Sequence, residues 1–172
     1  GSALAVPNLA LLSDGSIWGW GDNSFCQLGQ ATAALTNPIL TPVRLTNLSN
    51  LGMGLSNFAS GHFHGIARKD NGSAWTWGDN RQGQLGDGTT TAHCTPSPVP
   101  GLSQVETVGA GVDHSLVTVV DGWVWGWGNN DNGQLGVGDY NPRLAPAQMK
   151  GENGVGFLNL KAEPTALIAG DV

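Results

Sequence analysis

WGWGDNSFCQLG fills residues 18–29, WTWGDNRQGQLG fills 75–86, and WGWGNNDNGQLG fills 125–136. Trp20, Trp77 and Trp127 are 57 and 50 residues apart, and Leu28, Leu85 and Leu135 each stand eight positions beyond them. The pairs Asp14-Gly15, Asn71-Gly72 and Asp121-Gly122 keep the same spacing, and His64 and His114 each precede their pair by seven residues. Several offsets recurring together define an internal repeat, which must be recognised before any single motif is weighed. The copies run over 8–63, 64–113 and 114–163, followed by the start of a fourth, all within one repeat domain. The first interval is longer because ATAALTNPIL extends one loop, a change that leaves a strand framework intact.

Each unit reads as short strands. SLVTVV at 115–120 is β-branched and is followed by Asp-Gly and then WVWGWG. An Asx-Gly pair between two such runs predicts a hairpin with a type I′ turn, which needs positive φ at both central residues. Alternation puts Trp18 with Trp20, Trp75 with Trp77, and Trp125 with Trp127 on one strand face. Further strands are expected near 41–46, 57–60, 96–100, 105–110, 145–149 and 157–162. About four short strands per unit is the anatomy of a propeller blade. The fold expected is all-β: about three four-stranded blades, an incomplete ring or segment of a larger propeller. The tryptophans would lie between stacked blades, and the leucine of each Gln-Leu-Gly would anchor the returning loop.

Composition agrees. The 172 residues hold 27 glycines and 9 prolines, a mixture that suits tight turns and disfavours helices. Hydrophobic residues make up 40%, enough for a packed core. The net charge of -6 argues against nucleic acid as a partner, because affinity for phosphates rests on basic side chains. No apolar run approaches the ~20 residues of a membrane-spanning helix. No signal-peptide pattern is visible, and Gly1-Ser2 reads as a cloning scar.

The full unit AGVDHSLVTVVDGWVWGWGNNDNGQLGVGD at 110–139, together with GQLGDGTTTAHCTPSPV at 83–99, resembles the regulator-of-chromosome-condensation repeats. The resemblance covers nearly all of 8–149. In flavour it is nearest the bacterial, often surface-exposed branch similar to the alpha-tubulin suppressor, which favours an extracellular or cell-surface location. It implies a propeller, commonly of seven blades, that acts as a binding platform. Seven such repeats need about twice this length, and VPNLALLSDG at the start aligns in phase with EPTALIAGDV at the end, Pro7 against Pro164. The resemblance therefore implies further blades, or other chains, at the ends.

The candidate chemistry is sparse. His62, His64, Asp113 and His114 are weak candidates for a zinc site, since two histidines and a carboxylate can hold that metal. The equivalent places of His64 and His114 in successive copies point instead to bonds with neighbouring loops. Asp22 and Asp79, with Asn129 in the third copy, suit turns in which the side chain bonds its own backbone. No acid pair, triad or phosphate-binding loop stands out, and no cofactor is expected. Cys26 replaces the glycine of the other copies (Gly83 and Gly133), and Cys94 follows the second copy. Free thiols and a bond between adjacent units both stay open. The expected function is a non-enzymatic binding module contacting a protein or a glycan through blade loops. The alternative, implied by the founder of the family, is guanine-nucleotide exchange on a small GTPase. Ultraviolet sensing, known in a plant branch, needs a Gly-Trp-Arg-His-Thr element, where this chain has GHFHG and GVDHS.

Overall fold

The computed structural model describes residues 8–14, 16–29, 38–45, 58–161 and 169. Gly15, Pro7 and Pro164 lie outside the described residues, as does most of the extended first loop. The described strands are β1 (Asn8–Leu11), β2 (Ile17–Gly21), β3 (Ile39–Arg44), β4 (Phe58–Ser60), β5 (His64–Arg68), β6 (Ala74–Gly78), β7 (His93–Pro98), β8 (Val105–Ala110), β9 (His114–Val119), β10 (Val124–Gly128) and β11 (Arg143–Gln148). They form three antiparallel meanders: β1-β2-β3, β4-β5-β6-β7 and β8-β9-β10-β11. The fold is all-β and of propeller type, a run of blades short of a closed ring. The sheets are offset from the sequence copies: β4 and β8 fall at the end of one copy and pair with β5 and β9 of the next.

The hairpins form, with a turn different from the expected one. Lys69 donates to the Ser73 carbonyl and Gly72 donates to the Lys69 carbonyl, both at 2.9 Å. Gly72 has φ +77° and Gly122 φ +84°, while neither Asn71 nor Asp121 has a positive φ. This is a type I turn with a following glycine in the left-handed region, so glycine is needed once rather than an Asx-Gly pair at two positive angles. The Asx side chain has another task. Asn71 Oδ1 accepts from the Ser73 hydroxyl at 2.6 Å, and Ser73 Oγ accepts from Trp75 Nε1 at 2.8 Å. Asp14, Ser16 and Trp18 repeat the chain of bonds at 2.6 and 3.0 Å.

Each outer strand carries a proline (Pro42, Pro96, Pro146), and each ladder shifts register beside the second tryptophan of the template. Proline lacks the ladder donor, which confines it to edges and bulges. The expected strand at 157–162 is absent over its described part, where isolated bridges join Lys150 to Phe157 and Trp123 to Asn159.

Apolar burial joins neighbouring sheets. Trp77, on the second sheet, is fully buried with Ile17, Leu28, Ile39 and Leu45 of the first. Trp127, on the third, is fully buried with Ile66, Ala74 and Val99 of the second. Removing so large an aromatic surface from water makes each joint a core in itself. Trp20, which precedes the first joint, is only half-buried, as are Trp18, Trp75 and Trp125.

Candidate interaction surface

The turns before β5 and β9 and the loops after β2, β6 and β10 gather at one end of the sheets. Their shape comes from two amides in the template. Asn23, Asn80 and Asn130 each accept, through Oδ1, from the backbone N–H of Leu28, Leu85 and Leu135 at 3.0 Å. Gln27, Gln84 and Gln134 each accept, through Oε1, from the N–H two residues earlier at 2.8–3.0 Å. Asn80 Nδ2 and Asn130 Nδ2 then hold the returning loops by donating to the carbonyls of Thr91 and Asn141 at 3.1 Å. Asp22, Asp79 and Asn129 accept from the N–H two residues on, an Asx turn in each copy.

Backbone carbonyls from these loops tie one blade to the next. Trp77 Nε1 donates to the Gln27 carbonyl at 2.8 Å and Trp127 Nε1 to the Gln84 carbonyl at 2.9 Å. The Ser115 hydroxyl also donates to the Gln84 carbonyl at 2.9 Å, so its oxygen must accept from His64 Nε2 at 2.9 Å. His64 is therefore the Nε2–H tautomer, and its buried Nδ1 has no partner. Burial, then the neighbouring His114, depresses its pKa from 6.5 to about 3. His62 sits in the turn before β5 rather than on the strand face of His64. Among the described residues no three His, Cys, Asp or Glu side chains converge to hold a metal ion.

Above the joints lies a partly exposed patch drawn from three sheets. Phe25, in the loop after β2, meets Phe63 with ring centroids 4.8 Å apart. The Arg81 guanidinium lies 4.5 Å from the centroid of Phe25 and pairs with the buried Asp79 at 2.8 Å. Asp113, from the turn before β9, accepts from Gln84 Nε2 at 3.4 Å. Its pKa is raised, first by burial and then by Asp79, against the opposing pull of Arg81 and His62. On the far side of the third sheet, Asp113, His114, Asn129, Asp131 and Gln134 line a cleft of about 130 Å³. One joint earlier the corresponding place receives Val112, whose carbonyl accepts from the His62 N–H at 3.3 Å, and Asp113. Cys26 and Cys94 are brought together as a disulfide across the first joint, with Cα atoms 4.7 Å apart.

The template and its offsets match one family. The regulator of chromosome condensation (RCC1) repeat profile matches residues 14–68, 71–118 and 121–162. The chain belongs to the RCC1-repeat family. Human E3 ubiquitin-protein ligase HERC2 is 33% identical over 111 residues, 63% of this chain and 2% of HERC2. The chain thus spans a small fraction of that relative. Among solved structures, human WBSCR16 superposes with a TM-score of 0.73 at 22% identity, over 96% of this chain and 40% of that one. Yeast RCC1 (Prp20), solved bound to Kap60, gives 0.75 at 21% identity over 86% and 36%. These likenesses agree with a propeller segment.

Two expectations are corrected here. Curated relatives come from human, mouse and zebrafish, and a solved neighbour from yeast, which replaces the bacterial alpha-tubulin-suppressor-like branch with a eukaryotic one. The shared template is built from residues every blade needs, so it carries little information about branch. The extracellular or cell-surface location falls with it, because that expectation rested on the bacterial branch. Among the described residues no helix is long and apolar enough to cross a membrane.

Phe25, Phe63 and Arg81 were missed in the sequence, as were the loop amides Asn23, Asn80, Asn130, Gln27, Gln84 and Gln134. The amides were legible in principle, because they recur at fixed offsets with the tryptophans. The aromatic pair was not, because it exists only once two blades are stacked.

Proposed function

We propose that the loop end of these blades docks a protein partner through the patch of Phe25, Phe63, Arg81 and Asp113. The observation that carries this reading is one partly exposed group of aromatic and charged side chains crossing both joints. Aromatics and arginine supply most of the binding energy at protein interfaces, and their mutual contacts fix them before a partner arrives. A second reading is guanine-nucleotide exchange on a small GTPase, and the comparisons lean toward it. It is supported by likeness to yeast Prp20p, whose structure is described with its binding properties to Gsp1p and histones. The net charge of -6 also suits a basic partner such as a histone.

The test uses the chain immobilised for surface plasmon resonance, with a small GTPase and core histones as separate analytes. A parallel assay follows release of a fluorescent guanine nucleotide. Phe25→Ala and Arg81→Ala should each weaken a specific complex by about tenfold or more. Accelerated nucleotide release would favour exchange, and binding without it a docking role. Unchanged binding in both variants would refute the patch.

A further inference from the structure

We propose that Cys26 and Cys94 form a redox-responsive staple across the first joint, which fixes the Phe25 loop when oxidised and releases it when reduced. Three observations carry this. First, the contact is built by the repeat. In the second joint the equivalent positions are Gly83 and Leu144, and a Cβ placed on Gly83 would lie 2.5 Å from Leu144 Cδ2. The fold therefore brings this loop position against this outer-strand position whether or not sulfur is present. Leu40, the matching residue of β3, is 85% exposed, which fits a position designed to face a preceding loop.

Second, Cys26 occupies a backbone site that the other copies give to glycine. Its φ is +62°, beside +79° at Gly83 and +75° at Gly133. The turn is the same in all three: the N–H of Cys26, Gly83 and Gly133 donates to the carbonyl of Asn23, Asn80 and Asn130 at 2.9–3.1 Å. A side chain in the left-handed region is costly, so a cysteine here needs a compensating contact. The bond to Cys94, 68 residues away, supplies one.

Third, Cys26 adjoins Phe25, whose ring meets Phe63 at a tilt and lies under Arg81. Both cysteines are only half-buried, within reach of small thiols. In the cytosol and nucleus thiols stay reduced unless a cysteine pair has a reduction potential below that of the glutathione pool. Oxidation joins the two sulfurs and passes two electrons and two protons to an oxidant such as oxidised glutathione. Reduction reverses this: a thiolate of glutathione or of a dithiol reductant attacks one sulfur, the Cys26–Cys94 bond breaks, and a second thiolate resolves the mixed disulfide.

The consequence for a partner rests on the docking reading, whereas the staple itself is read on the loop alone. The experiment equilibrates the full chain in glutathione buffers of graded potential and traps free thiols by alkylation. Mass spectrometry counts the trapped thiols, and hydrogen exchange follows the amides of residues 22–29. The fully reduced chain should exchange at Gln27 and Leu28 about tenfold faster than the oxidised one, with the second loop, 79–86, unchanged. Cys94→Ser should exchange fast in every buffer. Cys26→Gly, which restores the glycine of the repeat, should lose all redox dependence and remain folded. Two trapped thiols in every buffer would overturn the staple, as would equal exchange of oxidised and reduced loops. A redox-dependent loop with unchanged partner affinity would keep the staple and count against the docking patch.

Discussion

Lowering the pH from 7 to 5 should destabilise this protein through one buried imidazole. His64 is fully buried, and Ser115 fixes its proton on Nε2, because the serine hydrogen is already committed to the Gln84 carbonyl. A second proton would have to enter on Nδ1, which has no acceptor and stands against Gly61. The groups acting on it are the His114 and His62 rings, which oppose protonation, and Asp79 and the His114 backbone, which favour it. Burial outweighs them and holds the pKa at about 3, against 6.5 unfolded. A depressed folded value means the contribution is whole above pH 6.5 and is lost as pH falls toward 3. At pH 5 the unfolded chain has bound the proton and the folded chain has not, which over roughly 1.5 pH units at about 1.4 kcal/mol each amounts to about 2 kcal/mol. The assay is urea denaturation at both pH values, followed by tryptophan fluorescence, for the wild type and His64→Gln. The glutamine amide can donate to Ser115 Oγ but cannot be protonated in this range. The wild type should lose about 2 kcal/mol more than the variant on acidification. Equal losses would refute the argument, because other titrating groups act on both proteins.

Asn80→Ala removes the acceptor for the buried Leu85 N–H and the donor that holds the Thr91 carbonyl, and should cost about 2–3 kcal/mol in urea denaturation. Gly86→Ala should destabilise by at least about 2 kcal/mol, because φ is +71° and a new Cβ would lie 2.6 Å from Trp127 Nε1. Gly88, at φ +85° with open space around it, is the control: Gly88→Ala should cost about 1 kcal/mol, the backbone penalty alone. Arg81→Ala should change stability by less than about 1 kcal/mol, since its side chain is 62% exposed and the backbone N–H at 81 still donates to Asp79 in the variant. A large loss of melting temperature in that variant would move Arg81 from the docking surface to the framework.

The sequence by itself determined what is local. Turn pairs, β-branched runs and recurring tryptophan offsets are properties of adjacent residues, so β2, β6 and β10 and the hairpins before them could be placed from the chain alone. Even there, the turn type differs from the expected one. A type I′ turn needs positive φ at Asn71 and Asp121, whereas the glycine alone takes it and Asn71 bonds a serine two residues on. The loop amides were visible as a pattern, yet an amide can donate or accept toward many partners, and only the folded loop shows which it meets. What tertiary structure decided is everything that depends on the rotation between blades. It set the Trp127 indole on the Gln84 carbonyl. It also brought Cys26 to Cys94 and laid Arg81 over Phe25. Those contacts join residues some 40 to 70 positions apart, and their geometry follows from how one twisted sheet stacks on the next, which no local spacing encodes.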